Sequence, residues 1–244
     1  MLNVMTLNTW CLPTPLGYRV RERMERILEN LAPYDLVFLQ EVFHKEARQQ
    51  VLSENVRQLF PFVAHTHTGT LLRQDSGLMV LSKYPITLQF QVFTKSGWPD
   101  QLAKKGLYYG KLKTPTTSMF ILNTHFQSGE HERGHRLRDS NLKDLFALLP
   151  PDMPTILGGD FNFYPNSRAY QNMMEQGFCD VFAEAEGQYT VHRPENPLAR
   201  SEKQRIDYLF YRHLSLRSRQ RIFDEPLRGE FVSDHFGVAA CLEA

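Results

Sequence analysis

Six apolar runs in the 244-residue chain give way at once to side chains that coordinate or hydrogen-bond. "NVMTLN" ends in Asn8, "LVFLQE" in Gln40 and Glu41, "MFILNTH" in Asn123 and His125, and "TILGGDFN" in Asp160 and Asn162. "RIDY" carries Asp207 between Ile206 and Tyr208, and "SDHFGV" sets Asp234 and His235 ahead of another apolar run. Residues two apart in a strand share a face, so Asp160 and Asn162 are expected to point the same way, as are Asn123 and His125. Each site alone has an ordinary explanation: a turn for Gly-Gly-Asp, a solvated end for Glu41, a carbonyl-bonded core ring for His125, a cap for Asp234–His235. Asp207 resists one, because a carboxylate within an apolar strand is costly unless paired. Six such ends exceed what capping requires, and imply that something is bound where they meet.

The donor types narrow the chemistry. Oxygen ligands without cysteine suit a hard cation, Mg²⁺ or Mn²⁺, more than zinc. Mg²⁺ takes one or two carboxylates, keeps waters and completes its shell with phosphate oxygens, and Glu41 supported by Asn8 would serve it. A histidine with a carboxylate to orient its ring is the arrangement of a general base acting on water, and His235 with Asp207 fits it. A second histidine and an asparagine facing the same point would steady a phosphoryl oxygen. Together these give metal-assisted phosphodiester hydrolysis with in-line attack by water.

These residues must be positioned by the elements around them. Strands are predicted over 2–8, 35–42, 77–82, 86–93, 107–113, 118–124, 155–159, 204–212 and 235–242. Between them, Val20, Met24, Ile27, Leu28 and Leu31 recur with helical spacing, ended by Pro33. Further helices are predicted over 44–59, over 133–149 with Leu137, Leu142, Leu145, Leu148 and Leu149 on one side, and over 167–176 before Gly177. Residues 186–203, polar and carrying Pro194 and Pro197, read as an irregular loop. Mixed strands and helices argue for two sheets with helices outside, in one domain over residues 1–244.

Bulk properties exclude some partners. Lys and Arg total 28 against 27 Asp and Glu, so there is no overall basic grip for nucleic acid. The cluster "HERGHRLRD" (131–139) is diluted by Glu132 and Asp139 and reads as a solvated helix start. Cys11, Cys179 and Cys241 have neither disulfide nor zinc spacing; they read as small core residues, and a reducing, cytoplasmic setting is the default. No apolar run approaches the roughly 18 residues of a membrane span. "MLNVMTLNTW" lacks the basic start and apolar stretch of a leader, although a leader already removed would leave no trace.

In order along the chain, "LNTW", "LQEV", "NTH", "GDFN", "RIDY" and "SDH" resemble the endonuclease/exonuclease/phosphatase superfamily, the DNase I-like fold, across residues 3–240. The resemblance implies a four-layer α/β sandwich, with two central mixed sheets and helices outside. It implies Asn8 and Glu41 at the metal with Asp234 on the metal side, His125 and Asn162 at the phosphate, Asp160 positioning the water or its base, and Asp207 paired with the base His235. Within that superfamily, "NTW", "DSGLMVLSKYPI" (75–86) and "DQLAKKG" (100–106) resemble the neutral sphingomyelinase branch. The last resembles that branch's Asp–Lys switch and maps onto Asp100 and Lys105, with Lys104 as the other candidate. A loop that folds Asp100 and Lys105 together would withhold the lysine from the phosphate or deliver it.

The expected activity is therefore Mg²⁺-dependent hydrolysis of a phospholipid head group, sphingomyelin to ceramide and phosphocholine, at a membrane surface or micelle. A lyso-phospholipid is another substrate of the same class. A nuclease on the same scaffold is the alternative, and a binding module that kept the fold is a third. Trp98, Pro99, Leu107, Tyr108 and Tyr109 read either as a membrane-facing rim or as hairpin and core.

Overall fold

The computed structural model describes residues 1–13, 15–66, 75–183 and 185–244. Among them the chain runs β1 (Leu2–Cys11), α1 (Val20–Glu29), β2 (Leu36–Val42), α2 (Lys45–Val51), α3 (Glu54–Leu59), β3 (Phe62–His65), β4 (Met79–Ser82), β5 (Ile86–Val92), β6 (Gly106–Lys113) and β7 (Ser118–His125). It continues through α4 (Glu132–Phe146), β8 (Thr155–Asp160), α5 (Arg168–Glu175), β9 (Cys179–Asp180), β10 (Asp207–Arg212), β11 (Ser215–Ile222) and β12 (Gly237–Glu243). The strands form two six-stranded sheets, ordered β11-β12-β1-β2-β4-β3 and β5-β6-β7-β8-β10-β9. Each is mixed, with one parallel pair at its centre: β1 with β2 in the first, β7 with β8 in the second.

Strand alternation builds the four layers. In β1 and β2, Met5, Leu7, Val37 and Leu39 face outward, where α1 and α2 cover them with Met24, Ile27, Ala47 and Val51. Val4, Leu36 and Phe38 face inward and meet Ile121, Ile156 and Leu209 of the other sheet. Leu122, Leu157 and Phe210 face out from the second sheet onto α4 and α5, through Leu142, Leu145 and Met173. Burying both faces of each sheet explains why the strands read as near-continuous apolar runs.

The glycines of "ILGGD" lie within β8, not in a turn. A Cβ on Gly158 would stand 2.3 Å from Phe38 Cδ2, so glycine lets the sheets close where the site begins.

Several sequence expectations are corrected. The helix expected over 44–59 is split at Leu52–Ser53 into α2 and α3, and α4 ends at Phe146. The strands β3, β9 and β11 were not anticipated; β11, "SLRSRQRI", is an edge strand whose arginines leave no apolar alternation to detect. Only Cys11 is a buried cysteine; Cys179 is exposed and Cys241 half-buried, all three being free thiols. Leu107 and Tyr108 belong to the core rather than to a rim, while Trp98 is exposed. The "HERGHRLRD" cluster is not wholly solvated: Gly134 and Arg138 lie on the buried face of α4. Among the described residues, no helix is long and apolar enough to cross a membrane.

Candidate active site

The inward-facing rows of the strands change character at one edge of the sandwich. Val4, Thr6 and Asn8 form one row, and Leu36, Phe38 and Gln40 the next. From the second sheet come Ile121, Asn123 and His125, then Ile156, Gly158 and Asp160, then Leu209 leading back to Asp207. Deep in the sandwich these rows are apolar; at the carboxyl ends of the parallel strands they are polar. His125 stands opposite Asp160, and Asp160 opposite Asp207, in the sheet register. The convergence of His125, Asp160 and Asp207 thus follows from pairing and period.

Two polar groups expected to face a ligand do something else. Asn123 Nδ2 donates to the carbonyls of Leu39 (3.0 Å) and Met79 (2.9 Å), while its Oδ1 accepts from Gln40 Nε2 (2.7 Å). This buried amide pair ties the sheets together beneath the site. A ligand role for them is replaced by a staple, because both backbone and side-chain groups there are already satisfied.

Glu41 reaches the site by an exception to alternation. The period of β2 would send it outward with Leu39. Its φ of 59° turns it back, beside a bulge in β1 where Asn8 pairs with Gln40 but Cys11 with Val42. Glu41 Oε1 then accepts from Asn8 Nδ2 at 3.1 Å, and the same amide donates to Asp160 Oδ2 at 3.0 Å. His125 Nε2 lies 3.9 Å from Glu41 Oε1 and 3.5 Å from Asp160 Oδ2.

Asn162 is also placed differently from the strand argument. β8 stops at Asp160, and Asn162 has a φ of 52°. Its backbone N–H donates to Asp160 Oδ1 at 3.0 Å and its Nδ2 to Phe126 O at 3.1 Å. The turn closed by the aspartate, not strand period, fixes it beside the site.

Opposite, His235 Nδ1 and Asp207 Oδ2 are 2.8 Å apart, and His235 Nε2 is 4.0 Å from Asp234 Oδ1. Burial opposes charge on His235, but Asp207, Asp234 and Asp160 together outweigh it and push its pKa well above the usual range. Burial pulls His125 well below that range, and the nearby Lys105 charge adds to the effect. The His235 ring is thus made the more strongly basic, and the His125 ring is held neutral.

The loop between β5 and β6 brings Asp100 and Lys105 together at 3.2 Å. Lys105 Nζ also contacts His125 Nε2 at 2.7 Å and donates to Phe126 O at 2.8 Å, which uses its three protons. Asp100 Oδ2 in turn accepts from Ser128 N at 2.5 Å. Both side chains are buried, so the pair is an internal latch rather than a surface ion pair.

Supporting residues that carried no sequence signal hold these groups. Thr190 Oγ1 accepts from Asp207 N at 3.2 Å and Thr190 O from Phe236 N at 2.7 Å, while Asn196 Nδ2 donates to Ser233 O at 2.8 Å. The irregular segment 186–203 therefore clamps both members of the Asp207–His235 pair. Arg23, 1 % exposed, donates to the carbonyls of Thr9 (2.9 Å), Trp10 (2.7 Å), Tyr18 (2.8 Å) and Val232 (2.7 Å). It joins the end of β1 to the segment bearing Asp234. Arg138 Nη1 donates to Gln127 O (3.1 Å) and Gly129 O (2.7 Å), and Gln127 Oε1 accepts from Gly97 N at 2.7 Å, steadying the latch loop.

The donor set suits a divalent cation. Burial raises Asp160, with Asp207 adding to the rise; burial likewise raises Asp234 to about 6, with Glu41 adding. Asp207 Oδ1 is buried without a hydrogen-bond partner, and donor atoms of Asp160, Asp207 and His235 lie within 4.8 Å of one another. A cation among these oxygens would offset both the burial and the mutual repulsion.

A profile of the family described as "Endonuclease/Exonuclease/phosphatase family" matches residues 5–235. A Drosophila melanogaster protein with a provisional neutral sphingomyelinase assignment is 27% identical, over 99% of this chain and 60% of its own length. Sphingomyelinase C of Bacillus cereus is 28% identical, over 74% of this chain and 62% of its own. The chain thus spans about three fifths of the length of these curated relatives. Among solved structures, beta toxin from Staphylococcus aureus superposes with a TM-score of 0.79 at 20% identity, covering 99% of both chains. A mutant of that toxin with bound magnesium ions gives 0.73 at 19% identity, covering 98% of both. D. rerio TDP2 complexed with single strand DNA product gives 0.79 at 18% identity, covering 100% of this chain and 99% of that one. These superpositions establish a shared fold.

Proposed function

The chain belongs to the endonuclease/exonuclease/phosphatase family, and from that premise we propose that it is a divalent-metal-dependent phosphodiesterase acting on a phospholipid. Its substrate is sphingomyelin, cleaved to ceramide and phosphocholine. The observation that carries the chemistry is the Asp207–His235 pair at 2.8 Å, facing the Glu41–Asn8–Asp160 cluster across one sandwich edge. Sphingomyelinase relatives and a net charge of +1 support a lipid substrate over nucleic acid.

Asp207 accepts from His235 Nδ1–H, which fixes the tautomer and leaves Nε2 to take a proton from water. That water attacks phosphorus in line, and the lipid alkoxide leaves and takes a proton from solvent to give ceramide. Asp160 orients the water. Glu41, Asn8 and Asp234 would hold Mg²⁺, with Mn²⁺ the other candidate; when bound, it supplies a positive charge that polarises the phosphoryl oxygen and the leaving oxygen. His125 and Asn162 bind the non-bridging oxygens. In the geometry described, Lys105 occupies His125 Nε2, so the histidine offers no donor there. Breaking the Asp100–Lys105 pair frees both Lys105 and His125 for the phosphate. Residues 1–244 act as one domain, in the cytoplasm and peripheral to the membrane.

The decisive test offers the purified protein choline phospholipids, plasmid DNA and a phosphomonoester, each with Mg²⁺ and with EDTA. Metal-dependent phosphocholine release from sphingomyelin without nicking is the expected result. Nicking alone would replace the lipid substrate by nucleic acid, the activity suggested by the likeness to TDP2 with its DNA product. Metal binding with no turnover on any substrate would leave a binding module.

A further inference from the structure

The large exposed apolar side chains are not scattered. Among the described residues there are six: Met1, Leu16, Tyr18, Val92, Trp98 and Leu102. Apart from the terminal methionine, all lie in or beside two connections, β1–α1 and β5–β6. Trp98 is 73% exposed and Leu16 67%. Exposed apolar groups confined to two connections, rather than spread over the surface, point to an interaction site.

Both connections leave the edge that carries the site, one from each sheet. The β1–α1 connection follows Asn8 directly, and Cys11 O accepts from Phe43 N (3.1 Å) and His44 N (2.8 Å), just beyond Glu41. The β5–β6 connection ends in Lys105, in contact with His125. The two therefore flank the mouth of the site. Their charge has one sign as well: Lys95 and Lys104 join Trp98 and Leu102, while Asp100, the sole acid in either connection, is buried against Lys105 and Ser128.

We infer that Leu16, Tyr18, Trp98 and Leu102 form a bilayer-docking surface that seats the site mouth on a lipid interface. Tryptophan and tyrosine carry an apolar body with a polar tip and settle at the headgroup level. Lysines beside them are attracted to anionic lipid. This choice of occupant rests on the phospholipid reading above. It differs from the rim expected from sequence, because Leu107 and Tyr108 are core and the β1–α1 connection takes their place.

The test uses the intact protein in EDTA with vesicles of phosphatidylcholine and phosphatidylserine, free of sphingomyelin. The chain has two tryptophans, and Trp10 is half-buried under the Arg23 guanidinium, so Trp98 reports the interface. Vesicles are expected to shift the emission to the blue, and Trp98→Ser to abolish the shift. Co-sedimentation of the combined Leu16→Ser, Trp98→Ser, Leu102→Ser variant is expected to weaken by about tenfold or more, with hydrolysis of monomeric short-chain sphingomyelin unchanged. An unshifted wild-type spectrum overturns the surface even if the variant does not fold, as does unchanged sedimentation of a folded variant. Vesicle binding without turnover of any lipid would sink the substrate assignment alone; turnover of monomeric lipid without vesicle binding would sink the docking surface alone.

Discussion

At the scale of single residues, the same environment drives two histidines in opposite directions. His125 and His235 are both buried, yet Lys105 sits against one and three carboxylates surround the other. Acid–base roles follow from such separations. His235→Ala is expected to lower turnover by about three to four orders of magnitude or more, the usual weight of a base and its orienting partner. Asp207→Asn should approach that loss, since it removes the acceptor that sets the tautomer. Near-normal single-turnover rates in His235→Ala would remove it from the mechanism. The acids make a second expectation quantitative in sign. Asp234 stands at about 6 and Asp160 at about 7, so in the metal-free protein both take up protons as the pH falls through 7 to 6. Binding Mg²⁺ must displace those protons, and affinity should rise with pH and fall on acidification through that range. Calorimetry in buffers of different ionisation enthalpy reads the protons released; no release at pH 6 would contradict the assignment.

Among the elements, strand pairing gathers His125, Asp160 and Asp207, and loops hold Lys105 and His235 against them. The β5–β6 connection folds Asp100 onto Lys105, held by Ser128 and, through Gly97, by Gln127. Segment 186–203 grips the strand start at Asp207 and the chain at Phe236 through Thr190. Lys104 and Lys105 are adjacent in sequence but differently placed: Lys105 is buried in the latch and Lys104 half-exposed, with a φ of 42°. Lys105→Ala is therefore expected to reduce kcat by about 10²-fold or more, as for loss of a group that stabilises charge at the phosphate. Lys104→Ala should stay within a few-fold. Indistinguishable kinetics for the two variants would mean that the latch has no role in turnover.

For the whole molecule, a four-layer sandwich leaves one long seam between its sheets, apolar along most of its length and polar at one edge. The seam is closed by Gly158 against Phe38 and by the Gln40–Asn123 staple. The carboxylates gathered at its edge repel one another without a cation. Mg²⁺ should raise Tm, by about 2.7 kcal/mol of stability at a hundredfold excess over Kd, and EDTA should reverse the gain. A melting curve indifferent to Mg²⁺ would place the ion elsewhere or nowhere.

The sequence by itself determined the family, the two sheets with their outer helices, and the identities of the residues at the strand ends. Near-continuous apolar runs and abrupt polar endings are local properties, written in consecutive residues such as "TILGGD" and "MFILNTH". Strand period also anticipated that Asp160 would share an edge with its neighbours, once pairing supplied the partners. Tertiary structure alone decided the rest. It turned Glu41 inward through a positive φ, diverted Asn123 and Gln40 into a staple, and gave Lys105 rather than Lys104 the contact with His125. It also supplied Arg23, Thr190 and Arg138, whose partners are backbone carbonyls and amides distant in sequence. Those outcomes depend on register and on which surfaces meet across the seam, and a one-dimensional pattern carries no record of either.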